Sequence, residues 1–231
     1  MNKPVHPTLN PSLLLPALTT ALLRAEATGF ATAESAHAEP ALYGRNDGKA
    51  IGTYIEQKFR AYLASRFAFT VGNSASGIDF PSLNVDVKTT SSAKPQSSCP
   101  YKSARQKFLG LGYDLLVFVY DKLDDASTKT ATLSFSSVFF IEAPYTGDYQ
   151  ATTMLNQLLS NNADEDDLTA FLQEKAAHID DIEAATLAAE FLRLGQVPNG
   201  YLTLTAVPQW RLAYARAVRM AGTTNGIHKL V

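Results

Sequence analysis

The chain has 231 residues, of which 46% are hydrophobic, 18% charged and 10% aromatic, and its formal net charge is −2. That length supports one substantial core and excludes two large domains, while the composition excludes a solvating, disordered chain. The single cysteine, Cys99, excludes an internal disulfide, and no Cys or His cluster has the spacing of a zinc site, so a reducing, cytoplasmic compartment is expected.

Lys3, the apolar run LLLPALTTALL at 13–23 and AHA at 36–38 loosely imitate a secretory leader. Pro16 interrupts that run, Arg24 and Glu26 end it, and AHA lies too far away for one cleavable unit. Residues 11–27 are therefore expected as a mature helix, followed by a loop to Gly44. No apolar run reaches the roughly 18–20 residues that cross a bilayer, so no membrane partner is expected.

Asn46 or Asp47 can cap the next helix, whose apolar face is Ile51, Ile55, Phe59, Tyr62 and Leu63, ending near Arg66. FAFTV at 67–71 reads as a strand and GNSASG at 72–77 as a turn. A strand end, a turn at 81–84 and a returning strand VDVKTT follow, giving a helix that feeds a short antiparallel ribbon. After a polar loop at 91–100, KSARQKFLGLG reads as a short helix stopping at Gly110 or Gly112. YDLLVFVYD at 113–121 is apolar almost throughout, the pattern of a strand covered on both faces. A strand at 130–143 and two or three helices over 150–194 come next, with the acidic DEDD at 164–167 placed where a helix start favours negative charge. NGYLTLTAV at 199–207 reads as the last strand. PQWRLAYARAVRMAG reads as a helix with proline at its start and glycine at its end.

The expected fold is α/β: one central mixed sheet flanked by helices, with a helical C-terminal elaboration. It forms a single domain over 1–231, comprising an N-terminal helix and loop at 1–47, a core at 48–143, and helices, last strand and basic helix at 144–231.

Charge is unevenly spread. Residues 87–113 hold five cations (Lys88, Lys94, Lys102, Arg105, Lys107) and no acid, residues 121–190 hold fourteen acids against three lysines, and residues 191–231 hold five cations and no acid. Two basic segments around an acidic one can leave a positive groove on an acidic body, which suits a phosphate backbone.

GIDFPSLNVDVKTTSS at 77–92 concentrates the chemistry. Asp86 and Lys88 are two apart on a strand, so their side chains share a face, and a tight turn brings Asp79 back beside them. Two carboxylates that close repel unless a cation lies between them, and hard oxygen ligands favour Mg²⁺, a phosphate-chemistry metal. Lys88 could orient an attacking water or stabilise charge on phosphorus. The plain alternative is a surface hairpin with an exposed Asp–Lys pair and a turn-capping Asp79.

GIDFPSLNVDVKTT resembles the signature of the PD-(D/E)xK nuclease superfamily, with Ile78-Asp79 in place of Pro-Asp and Asp86-Val87-Lys88 as (D/E)xK. Within it, the stretch is similar to the methyl-directed mismatch-repair nicking endonuclease and its relatives among type II restriction enzymes. The likeness covers about a third of the chain, from 48–65 through 113–121, and departs from the usual pattern at Ile78 and at Asp86, where glutamate is commoner. It implies a restriction-endonuclease-like core, Mg²⁺ held by Asp79, Asp86 and the Val87 carbonyl, and Lys88 beside the attacking water. It also offers Glu56, on the preceding helix, as a fourth catalytic residue. The substrate it implies is double-stranded DNA, cut at a specific sequence to leave 5′-phosphate ends.

Lys94, Lys102, Arg105 and Lys107 are expected on the same side of the sheet as the motif. Gln96 can read base edges, and Arg211, Arg216 and Arg219 offer a second DNA contact. Symmetric cutting would favour a homodimer, and a monomer stays open. The rival readings are a DNA-repair nicking or junction-cutting nuclease and, from another class, a DNA-binding protein that keeps the fold without cutting.

Overall fold

The computed structural model describes residues 15–72, 77–176, 179–205 and 210–231. It is a mixed α/β architecture built on a central sheet. Chain order is α1 (Thr20–Ser35), β1 (Ala38–Glu39), α2 (Gly48–Ala64), β2 (Val85–Ser91), β3 (Gln96–Ser98), α3 (Ala104–Leu109), β4 (Asp114–Asp125) and β5 (Thr130–Ile141). Then follow α4 (Tyr149–Ser160), α5 (Glu165–Lys175), α6 (Asp181–Leu194), β6 (Thr203–Thr205), β7 (Arg211–Ala213), α7 (Ala215–Met220) and β8 (Ile227–Lys229).

The central sheet runs β1-β5-β4-β2, with β8 also on β5, and a three-stranded sheet runs β3-β7-β6. β4 and β5 form a long antiparallel hairpin, whereas β2 lies parallel to β4 along its whole length, from Val85 opposite Asp114 to Ser91 opposite Tyr120. Strand alternation explains why 115–120 is apolar on every residue. Leu116, Phe118 and Tyr120 face α1 and α2, packing with Leu23, Phe30, Ile55 and Phe59. Leu115, Val117 and Val119 face the other way, onto Leu212, Tyr214 and Ala217. A third apolar cluster joins α3 to α4, α5 and α6 through Phe108, Leu155, Phe171 and Phe191. Among the described residues, no helix is long and apolar enough to cross a membrane.

Several elements differ from the sequence expectation, each for a local reason. The first helix starts at Thr20, capped by the Thr19 side chain, because residues 16–18 pair instead with Ala68. It also continues to Ser35 through TGFATAES, which reads as loop from its Thr and Gly content. Burial of Phe30 and Ala31 overrides propensity there, and buried Glu34 accepts hydrogen bonds from Tyr54 Oη at 2.7 Å and Lys58 Nζ at 3.0 Å. Among the described residues, FAFTV forms only the Ala17–Ala68 bridge, and Pro16 beside it has no N–H with which to extend the pairing. The expected antiparallel ribbon is therefore reduced to one Phe80–Val85 bridge, and the motif strand pairs in parallel with β4. The stretch expected as a helix at 208–222 divides into β7 and the six-residue α7, since β3 and β6 both pair with Arg211–Ala213. The polar loop at 91–100 contains β3 for the same reason. The turn expected at 72–77 falls mostly outside the described residues.

Candidate active site

Four elements converge at the free edge of β2. The turn at 81–84 is closed by Phe80 N–H to Val85 O at 2.9 Å and Val85 N–H to Phe80 O at 3.2 Å. Asn84 occupies the left-handed region there (φ 56°), a conformation that asparagine tolerates well, and its Nδ2 donates to Gly112 O at 2.8 Å. The turn carries Asp79 back along β2 until its Oδ2 accepts the Val87 N–H at 2.9 Å, between Asp86 and Lys88. Gly72 seals the other side: its N–H donates to Asp79 O at 2.9 Å, and a Cβ there would lie 1.8 Å from Ile78 O. Any side chain at 72 would push Asp79 away.

Asp86 is 3% exposed, and Lys88 Nζ lies 2.6 Å from its Oδ2. That oxygen has no hydrogen bond of good geometry. Burial pushes the Asp86 carboxyl above its ordinary pKa; Lys88 opposes the shift and Asp79 adds to it. From α2, Glu56 and Arg60, one turn apart, face the same cavity of about 320 Å³, which Asp79, Asp86 and Lys88 also line. Burial and then the Asp79 charge push Glu56 up to about 7, with Asp86 adding and Lys88 and Arg60 opposing. Arg60 Nη2 bonds Asp79 Oδ1 at 2.9 Å. Asp79, Asp86, Val87 and Lys88 are thus brought together, and Glu56 joins them. Arg60 is the site residue the sequence reading missed; its signal was the four-residue spacing from Glu56 on one helical face.

The donor set fits a hard divalent cation. Asp79, Asp86 and the Val87 carbonyl offer only oxygen, one buried carboxylate oxygen lacks a hydrogen bond, and the Asp79 charge helps push up the pKa of both Asp86 and Glu56. Among the described residues, no three His, Cys, Asp or Glu side chains form a ready-made metal cluster.

A larger groove of about 620 Å³ adjoins this cavity, with Glu56 and Lys88 lining both. Lys94, Gln96 and Arg211 line it, together with Lys49 at the start of α2, which the sequence reading had not singled out. The two basic segments meet here because β3 pairs with β7, setting Ser98 opposite Arg211. The remaining candidates lie apart from the groove. Lys102 and Lys107 line a separate cavity of about 430 Å³ with Trp210, and Lys107 Nζ also donates to Lys175 O. Arg105 pairs with Glu190, Arg216 stacks 3.3 Å over the Tyr149 ring, and Arg219 is exposed on α7. His228 pairs with Glu142 at 2.6 Å, and His178 lies outside the described residues.

The profile of the family described as Type II restriction enzyme NspV matches residues 17–229. Type II restriction enzyme NspV from Nostoc sp. (strain ATCC 29411 / PCC 7524) is 52% identical over 210 residues, covering 91% of this chain and 95% of that protein. No solved structure matches the chain. A match over nearly the whole length bears out the resemblance read from GIDFPSLNVDVKTT, and the chain belongs to the NspV family of type II restriction enzymes.

Proposed function

We propose that the chain is a Mg²⁺-dependent endonuclease that hydrolyses double-stranded DNA at a specific sequence, leaving 5′-phosphate ends, with Asp79, Asp86, Lys88 and Glu56 at the cutting centre. The observation that carries this reading is the Asp79–Val87 hydrogen bond, which docks the first acid on the strand between the second acid and the lysine. Asp79, Asp86 and the Val87 carbonyl would hold the metal, which when bound neutralises phosphate charge and makes a nearby water easier to deprotonate. Lys88 Nζ then has two tasks: it holds the attacking water in line with phosphorus and stabilises charge on the phosphoryl oxygens. Glu56, with its pKa near neutrality, can take the proton of that water. The water oxygen bonds to phosphorus, the P–O3′ bond breaks, and the 3′-oxygen takes a proton. The products are a 5′-phosphate and a 3′-hydroxyl.

Lys94, Gln96, Arg211 and Lys49 supply the DNA-facing walls, and the isolated positions Lys102, Arg105, Lys107, Arg216 and Arg219 serve outer phosphates or the structure itself. A homodimer would cut both strands of a symmetric site. The test is incubation with plasmid and bacteriophage DNA in Mg²⁺ or EDTA. Discrete fragments in Mg²⁺ alone are expected; nicking alone would transfer the chain to the repair reading, and no cutting under any divalent cation would sink the proposal.

A further inference from the structure

The geometry points to the small β3-β7-β6 sheet as the element that reads base edges, with Arg211 recognising guanine and Gln96 recognising adenine. This rests on the endonuclease reading above and adds which residues carry its sequence specificity.

Register defines two polar rows across the three strands. Ser98 lies opposite Arg211, which lies opposite Thr205; Gln96 lies opposite Ala213, which lies opposite Thr203. Directly paired residues share a face, so Gln96, Ser98, Thr203, Thr205 and Arg211 all belong to one side of the sheet. The other side is committed to structure: Leu212 is fully buried, and Ser97 Oγ lies 2.7 Å from the Tyr214 hydroxyl. Gln96, Ser98 and Arg211 of the polar side, with Ser97 beside them, line the groove that Glu56 and Lys88 also line, so this end of the rows borders the space the duplex would occupy.

Size and chemistry separate base reading from phosphate holding. Three strands span about 10 Å between outer strand axes, against a major groove about 12 Å wide that admits a β-ribbon. A face built for phosphates would repeat cations. This one sets a single arginine among neutral amide and hydroxyl groups, while Lys49 and Lys94 stand elsewhere around the groove, where phosphate charge can be met. Arginine pairs bidentately with guanine O6 and N7, glutamine with adenine N6 and N7, and Ser or Thr hydroxyls suit several bases.

The reading sheet is also fastened to the cutting strand. Buried Thr90, two residues beyond Lys88 on β2, accepts the Gln96 N–H at 2.9 Å and donates to Gln96 O at 3.1 Å. Its one hydroxyl closes both backbone groups of Gln96, so β3 holds a fixed offset from Lys88. A base contact made by Gln96 or Arg211 therefore sets which phosphate reaches Asp86 and Lys88.

The experiment maps the cut site with the wild-type protein, then replaces each purine in it singly by its 7-deaza analogue, which lacks only the N7 acceptor. Cleavage is compared for wild type, Arg211→Ala and Gln96→Ala. One 7-deazaguanine is expected to slow the wild type about 10- to 100-fold and to slow Arg211→Ala by less than about 3-fold further. The same non-additivity is expected between one 7-deazaadenine and Gln96→Ala. Lys94→Ala, by contrast, should remain fully sensitive to every analogue and lose about one unit of salt slope. Additive losses for both Arg211→Ala and Gln96→Ala would overturn the assignment, as would a mapped site with no G·C pair for Arg211. A wild type that makes no discrete cut would instead remove the endonuclease reading itself.

Discussion

Asp164, Asp167 and Asp180, at the starts of α5 and α6, differ from the acids at the β2 edge in what answers their charge. Asp164 and Asp167 form a reciprocal capping box, and Asp180 accepts the Glu183 N–H at 2.8 Å. These exposed carboxylates complete helix N–H groups and sit at the positive end of the helix dipole. At the β2 edge, Asp86 is buried beside Asp79 and Glu56, and its main answering charge is Lys88. The same residue type stabilises one region locally and stores repulsion in the other. The capping acids store no repulsion, because helix N–H groups and the helix dipole answer their charge, whereas repelling acids bind a cation favourably because it relieves a cost already present, even where one of them, Asp79, also accepts a backbone N–H.

The largest test of that contrast is Asp86→Asn. It keeps the shape and removes the charge, and DNA cleavage in Mg²⁺ is expected to fall by at least about 10³-fold; cleavage within tenfold of wild type would mean that the acids at this edge do not cut. The same variant should be more stable than wild type without metal. The folded pKa of Asp86 lies above its ordinary value, so the folded state holds the proton more tightly than the unfolded one. Its stabilising contribution is complete below the unfolded pKa, near 4, and is lost as pH rises through the folded pKa. In EDTA at pH 8, Asp86→Asn should therefore melt above wild type by about 2–4 °C for each kcal/mol regained, and the gap should close near pH 4. Lys88, 28% exposed in its side chain, can turn to water when its partner is neutral. A lower Tm for the variant at pH 8 would show that the ion pair outweighs the burial cost. Smallest is Asp164→Ala, expected to lower Tm by about 2–4 °C through loss of a cap worth roughly 1 kcal/mol, with cleavage unchanged. Cleavage loss there would break the separation between the two regions.

How legible each region was in the sequence follows from the range of its interactions. Asp79, Asp86 and Lys88 were readable because strand periodicity and one tight turn place them, both within ten residues. The two-sided burial of β4 was readable from its continuous apolar run. β3 was not, since it is three residues long and pairs with β7, more than a hundred residues away; β7 is equally short and is held between β3 and β6. Propensity alone favoured a helix from Pro208, and tertiary pairing overrode it at Arg211–Ala213. Arg105 and Arg216 were grouped with the DNA contacts on charge alone, but Glu190 and the Tyr149 ring, both distant in sequence, engage them. Lys49 and Arg60 went unnoticed because their roles depend on how α2 lies against β2.

If Lys88 acts on the reacting phosphate rather than merely neutralising Asp86, its loss should slow chemistry and leave binding intact. Single-turnover cleavage of the mapped site by Lys88→Ala, with DNA affinity measured on the same preparation, separates the two. Cleavage is expected to slow about 10²- to 10³-fold with affinity within about 3-fold of wild type. Cleavage at the wild-type rate, or a loss wholly explained by weaker binding, would contradict that role.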